Sequence, residues 1–282
     1  MTDVGLFGPG SVTWRVHADP LMGVAGLRAL LLQALHPVAM AAVSEHSRFR
    51  EDTWGRLRGT ADYIGVTTFG STAEALTAGA RVRAVHSAVR GVAPGTGRVY
   101  SGDDEDLLLW VHVCLVDSFL DVVSRGALHL DAEDADRYVA EQVRAAALVG
   151  LEPDVVPASR AALAEMLERV RPDLAVTPAA REAAGYVVAP PMRAAVALAG
   201  RPAWAGVAGL AFAALPGWAR RMYALPELPG AAGLTDAAAT AALRALHTGL
   251  AGVRAVVPPL REGPHLRAAR TRLATGDGEP SR

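Results

Sequence analysis

One short run, Val66-Thr67-Thr68-Phe69, is all of this chain that reads as β-strand, and so brief a run cannot build a sheet. Elsewhere apolar residues recur at helical spacing, broken by Ser, Asp, Gly and Pro where helices begin and end. That pattern leaves one fold class, an all-α protein forming a single globular multi-helix domain. Apolar residues make up 51% of the chain, enough to fill the core between packed helices.

The helix signals run in order. Residues 1–22 hold Gly, Pro, Ser and Asp and read as an ordered arm. Leu27, Leu30, Leu31, Ala34 and Leu35 mark a helix over 24–43, which Pro37 after His36 bends or restarts. Asp52 or Thr53 caps a short helix through Arg56 to Ile64. Ser71 with Glu74 three residues on is a capping box, and opens a helix to about Val89 that ends at Gly91. Pro94 to Gly97 is a loop. Asp103 to Asp106 place acidic residues in the first turn of a helix running to about Val123, where the dipole favours them. Asp131 opens the next, with Gly150 as its stop, and Pro157 to Val170 is a further amphipathic helix. Short helical pieces fill 178–227. A long alanine-rich helix ends at Val253, and Pro258-Pro259 starts a final one. The domain spans 1–275, and 276–282 form a polar tail expected to be disordered.

Composition excludes several functions. The formal net charge of −1 argues against nucleic acid as a partner, because phosphate neutralisation needs a concentrated basic face. All 28 basic Lys+Arg residues are arginine, a pattern that a GC-rich genome produces. Lysine Schiff bases and lysine nucleophiles are therefore absent, while arginine forks for carboxylates remain. Cys114 is the lone cysteine, which rules out an internal disulfide and fits a reducing, cytoplasmic compartment. No signal peptide and no transmembrane segment is expected. The apolar stretch from Pro202 to Leu215 comes nearest, falls short of the ~18–20 residues a span needs, and reads as a buried helix. The motifs of dinucleotide-binding, Walker and nucleophile-elbow enzymes are missing.

The candidate site centres on His86. Gly79 and Val82 lie seven and four residues before it and Val89 three after, so the four share one helix face. An imidazole on an apolar stripe with little bulk beneath it is either a core histidine bonded to a carbonyl or an axial ligand for a flat macrocycle such as haem. His112 follows the same logic, facing inward with Leu108, Leu109, Leu115 and Val116 around it. Arg56 and Arg58, near Thr60, form a basic turn suited either to solvent or to the carboxylates of haem. His36, His46, His86 and His112 lack the spacing of a zinc site.

Taken in order, these pieces resemble the haem-dependent oxygenase family that contains the latex-clearing rubber oxygenases and the mycophenolic-acid pathway oxygenase. The matching residues are Gly8-Pro9 with Ser11 and Trp14-Arg15, Leu30 to Gln33 with His36-Pro37, Arg56 with Thr60 ahead of Phe69-Gly70, Val82-Arg83 with His86, then Gly91, Tyr100-Ser101 and Leu109 to His112. The resemblance covers residues 5–125 well. It implies a globin-like core around haem b, with His86 as the iron ligand and Arg56 and Thr60 at distal-side positions. It also implies an oxygenase acting on a small apolar substrate with dioxygen or peroxide, with or without an electron donor. On this reading Arg56, Thr60 and His112 are the candidate catalytic residues. His86, Arg56, Arg58, Gly79 and Val82 are the candidate cofactor contacts. One position departs from the family pattern: Gly59 stands where the rubber oxygenases place a lysine able to cap the iron. Two other readings stay open at this point, a non-catalytic haem sensor or carrier, and a haem-free helical scaffold or peripheral membrane protein using residues 187–215.

Overall fold

The computed structural model describes residues 3–224, 232–256 and 263–276. Thirteen α-helices and one small antiparallel hairpin occur among the described residues, so the chain is all-α. The helices are α1 (Val12–His17), α2 (Met22–Gln33), α3 (Pro37–His46), α4 (Thr53–Phe69), α5 (Thr72–Ser87), α6 (Glu105–Arg125), α7 (Ala132–Leu148), α8 (Arg160–Val170), α9 (Pro178–Val188), α10 (Ala194–Ala213), α11 (Gly217–Met222), α12 (Ala232–Val256) and α13 (Pro264–Gly276). Strands β1 (Arg90–Val92) and β2 (Val99–Ser101) pair between α5 and α6, with Gly91 opposite Tyr100.

Helix α6 is the axis of the core. Leu107 to Val123 are mostly buried, and the helix packs first on α2, then on α7, α8, α1 and α12. Among the described residues, α6 is the one single helix long and apolar enough to cross a membrane, and the sharply bent α2–α3 pair passes the same test only if taken together; 72% of the α6 window is buried inside the protein. The expected candidate over 202–215 instead lies in α10 and the turn that follows it. Pro37 restarts the chain rather than bending it: α2 and α3 meet at 108°, and His36 caps α3 by accepting the Ala39 N–H at Nδ1, 3.2 Å away. His36 is thereby a structural cap.

Three expectations are corrected. Val66 to Phe69 is the last turn of α4, not a strand. There the Thr67 hydroxyl donates to the Tyr63 carbonyl at 2.9 Å, and Phe69 meets the Trp14 ring edge-on at 4.9 Å. Tertiary contact overrides the β-branched bias at those positions. The real strands flank the loop at 94–97, where Gly95 and Gly97 adopt positive φ of 84° and 67°. Part of the N-terminal arm is helix α1, opened by Ser11, whose hydroxyl accepts the Trp14 N–H at 3.0 Å. Pro258-Pro259 and residues 277–282 lie outside the described residues; α13 itself begins at Pro264 and includes Gly276.

Candidate cofactor site between helices α4 and α5

Helices α4 and α5 form an antiparallel pair joined at Gly70-Ser71. Both start on well-made caps: the Asp52 carboxylate accepts the Gly55 N–H at 2.9 Å, and the capping box of Ser71 and Glu74 is complete. The N-terminal arm clamps the turn between them, because Asp3 accepts both the backbone N–H of Thr72, at 2.9 Å, and its hydroxyl, at 2.8 Å. From α5, Ala75, Gly79, Val82 and His86 point inward along one stripe, in agreement with the spacing read from sequence.

His86 lacks what a structural histidine has. Its Nδ1 is buried with no hydrogen-bond partner. Burial first, and then the positive charge of Arg56 on the facing helix, push its pKa below the ordinary histidine value, with Asp103 pulling the other way. The ring is therefore neutral at pH 7. His17 provides the contrast. Its two ring nitrogens lie 2.7 Å from the Thr68 hydroxyl and 3.1 Å from the Tyr138 hydroxyl, and burial lowers its pKa to about 3. His17 is a satisfied core residue; His86 has a place in the core without the partner.

Arg56 lies opposite His86. Its Nη1 donates to the Thr60 hydroxyl at 2.7 Å, and among the described residues no carboxylate pairs with it. Arg56 is exposed, yet nearby protein desolvates the guanidinium enough to push its pKa below the ordinary arginine value. The same side of α4 carries Gly59 and Tyr63, three and seven residues on. Gly59 is exposed, and a Cβ added there meets nothing within 4 Å, so this strip borders solvent at that point. The Tyr63 hydroxyl is buried without a partner, and burial raises its pKa to about 12. Tyr63 was not singled out from sequence, although its spacing from Arg56 and Thr60 was available.

The remaining expected residues fall elsewhere. Arg56 and Arg58 are not on a turn: both sit in α4, ~200° apart around the helix, and Arg58 is exposed. The smallness of Gly79 serves helix packing, since a Cβ there would lie 2.7 Å from the Leu148 carbonyl oxygen at the end of α7. The Arg83 guanidinium donates to that same carbonyl. Val82 stays half-buried beside His86. His112 is buried in α6, where desolvation alone lowers its pKa to about 4; no charge interaction or hydrogen bond joins it to His86 or Arg56.

A second polar feature lies away from α4 and α5. Arg28, 2% exposed, donates to the Asp117 carboxylate at 2.7 Å, the Ser118 hydroxyl at 2.7 Å and the Ala214 carbonyl at 2.8 Å. It forms the floor of an open cleft of about 720 Å³ walled by α6 and α12. Burial raises the pKa of Asp121 there, against the pull of Arg28 and Arg125.

The donor set on α4 and α5 fits haem b on chemical grounds. It offers a neutral imidazole, an arginine lacking a carboxylate, and a buried hydroxyl lacking an acceptor. Among the described residues, no cluster of three or more His, Cys, Asp or Glu side chains is set to hold a bare metal ion. Compared with known proteins, the chain matches a family model described as the catalytic domain of ER-bound oxygenase mpaB/B′ and rubber oxygenase, over residues 14–253. No curated protein and no solved structure matches it.

Proposed function

Since this chain belongs to the mpaB and rubber oxygenase catalytic-domain family, we propose that it is a haem b-dependent oxygenase acting on a small apolar substrate. The observation that carries this reading is the set of unpartnered polar groups on α4 and α5, with His86 Nδ1 and Tyr63 Oη buried without partners and Arg56 without a carboxylate. When bound, haem b supplies the redox-active iron at which dioxygen or peroxide is activated.

The chain's own residues do the rest. His86, kept neutral by burial and by Arg56, would offer a ring lone pair rather than a proton and so could hold the iron. Arg56 supplies the positive charge for a carboxylate of the bound group, and its bond to Thr60 fixes both side chains on one turn of α4. The Thr60 hydroxyl, which accepts from Arg56 and donates to the Arg56 carbonyl oxygen at 3.2 Å, would offer a polar group beside the bound haem. Gly59 is exposed and adds no side chain there, so this stretch of α4 stays accessible from solvent. Val82, half-buried one turn before His86, would give the haem an apolar contact. An electron donor is required only where dioxygen is the oxidant and one of its atoms leaves as water. The single buried thiol, Cys114, accords with action in a reducing, cytoplasmic compartment.

The test is an absorption spectrum and pyridine haemochrome assay on the purified protein. One haem b per chain in the wild type, with the Soret band lost or shifted in His86→Ala, supports the reading. A wild-type protein that takes up no haemin, or a His86→Ala variant with an unchanged spectrum, overturns it.

A further inference from the structure

We propose that Tyr63 is a hydrogen-bond donor to a molecule bound against α4 and α5, an inference that rests on the haem reading of these two helices. Three observations meet at this residue. First, its hydroxyl is buried and unpartnered, although the residue as a whole is half-buried, whereas three other tyrosines place theirs. Tyr100 donates to the Glu45 carboxylate at 2.6 Å, Tyr138 lies 3.1 Å from a His17 nitrogen, and Tyr223 donates to the Leu31 carbonyl at 2.7 Å. A phenol sealed off without an acceptor is worse for folding than the phenyl ring of the same shape. Packing alone therefore favours Phe at position 63, and the hydroxyl needs another reason.

Second, Tyr63 lies on the strip of α4 that carries Arg56 and the exposed Gly59, so the strip can be reached from solvent at that point. Third, Arg56 and Tyr63 are both donors. Arg56 can only donate, and the Tyr63 phenol stays protonated because burial holds its pKa near 12. Among the described residues neither pairs with a carboxylate, which leaves both able to meet an acceptor brought from outside. The matching chemistry is an anionic acceptor, either a carboxylate of the haem itself or a small anion on its iron.

The experiment compares wild type with Tyr63→Phe, both loaded with haemin, and measures haemin affinity and azide affinity by absorbance titration. Loss of one buried donor weakens the affected equilibrium about five- to tenfold. A weaker haemin affinity with azide unchanged assigns the hydroxyl to the haem carboxylate. Weaker azide binding at full haem occupancy assigns it to the anion on the iron. Both results support the inference. Unchanged affinities for haemin and azide overturn it while leaving the haem reading intact. A wild-type protein that binds no haemin overturns both together.

Discussion

Replacing Tyr63 by Phe in the protein freed of cofactor should stabilise it, an unusual outcome for a core truncation. The ring keeps its packing, and the only atom removed is a hydroxyl oxygen sealed from solvent without a partner. Such a group forfeits its hydrogen bonds to water on folding and recovers none, at a cost of ~1–3 kcal/mol. Removing it should therefore raise the unfolding free energy by ~1–2 kcal/mol, or the midpoint temperature by about 2–6 °C for a chain near this size. Urea unfolding read by circular dichroism, with an unchanged denaturant slope, gives the number. Tyr138→Phe is the internal control. It removes a hydroxyl 3.1 Å from His17 Nε2 and leaves that buried nitrogen alone, so it should destabilise by ~1–3 kcal/mol. A Tyr63→Phe protein that is less stable than wild type by 1 kcal/mol or more, on the scale of a lost hydrogen bond, would show that the hydroxyl has a partner. The argument from unpartnered groups would then fail at its strongest point.

Two further outcomes follow from buried charge. His17 and His112 have pKa values of about 3 and about 4 in the folded protein, against 6.5 for a free imidazole. Below pH 6.5 the unfolded chain takes up protons that the folded chain refuses, so stability falls as the pH drops. From pH 7 to 5 each residue should account for ~2 kcal/mol of loss. His112→Leu should flatten that slope, and a wild-type urea midpoint constant from pH 7 to 5 would refute the assignment. Arg28→Met leaves Asp117 and Asp121 partly buried without their shared cation, and should cost ~3–5 kcal/mol in the same unfolding assay. Adding Asp117→Asn and Asp121→Asn should recover part of it. A loss below 1 kcal/mol in the single variant, no more than an exposed pair contributes, would mean that solvent rather than Arg28 holds the two carboxylates.

What the sequence disclosed and what it hid divide along the distance over which the deciding contact acts. Ser71 and Glu74 are three residues apart and satisfy each other, so the start of α5 can be read from four letters. The inward stripe of Ala75, Gly79, Val82 and His86 is equally local. The end of α4 is not. Thr67 and Thr68 favour a strand by their own stereochemistry, and are held in helix by contacts with α1, including the bond between Thr68 and His17. The hairpin was hidden for the same reason: its strands are three residues long, and its anchors, Glu45 on Tyr100 and His46 on the Arg90 carbonyl, come from α3. Arg28 looked like an ordinary arginine because its partners lie some ninety residues away.

The same division explains why histidines with one kind of sequence signature have different fates. His86 and His112 both sit on inward stripes, and both are kept neutral by burial. What separates them is the company across the gap, which no helical spacing encodes. Desolvation alone acts on His112, whereas His86 also feels the positive charge of Arg56 and keeps a buried Nδ1 without a partner. Elsewhere the hydroxyls of Tyr100, Tyr138 and Tyr223 are bonded. On α4 and α5 the Tyr63 hydroxyl and His86 Nδ1 are left without partners while the caps that define both helices are complete. Well-made helices carrying unmet polar groups are expected where a ligand as well as folding has shaped the sequence. The unpartnered groups of Tyr63 and His86 are thus the physical support for the proposal that the site lies between these two helices, and that support does not depend on the family to which the chain belongs.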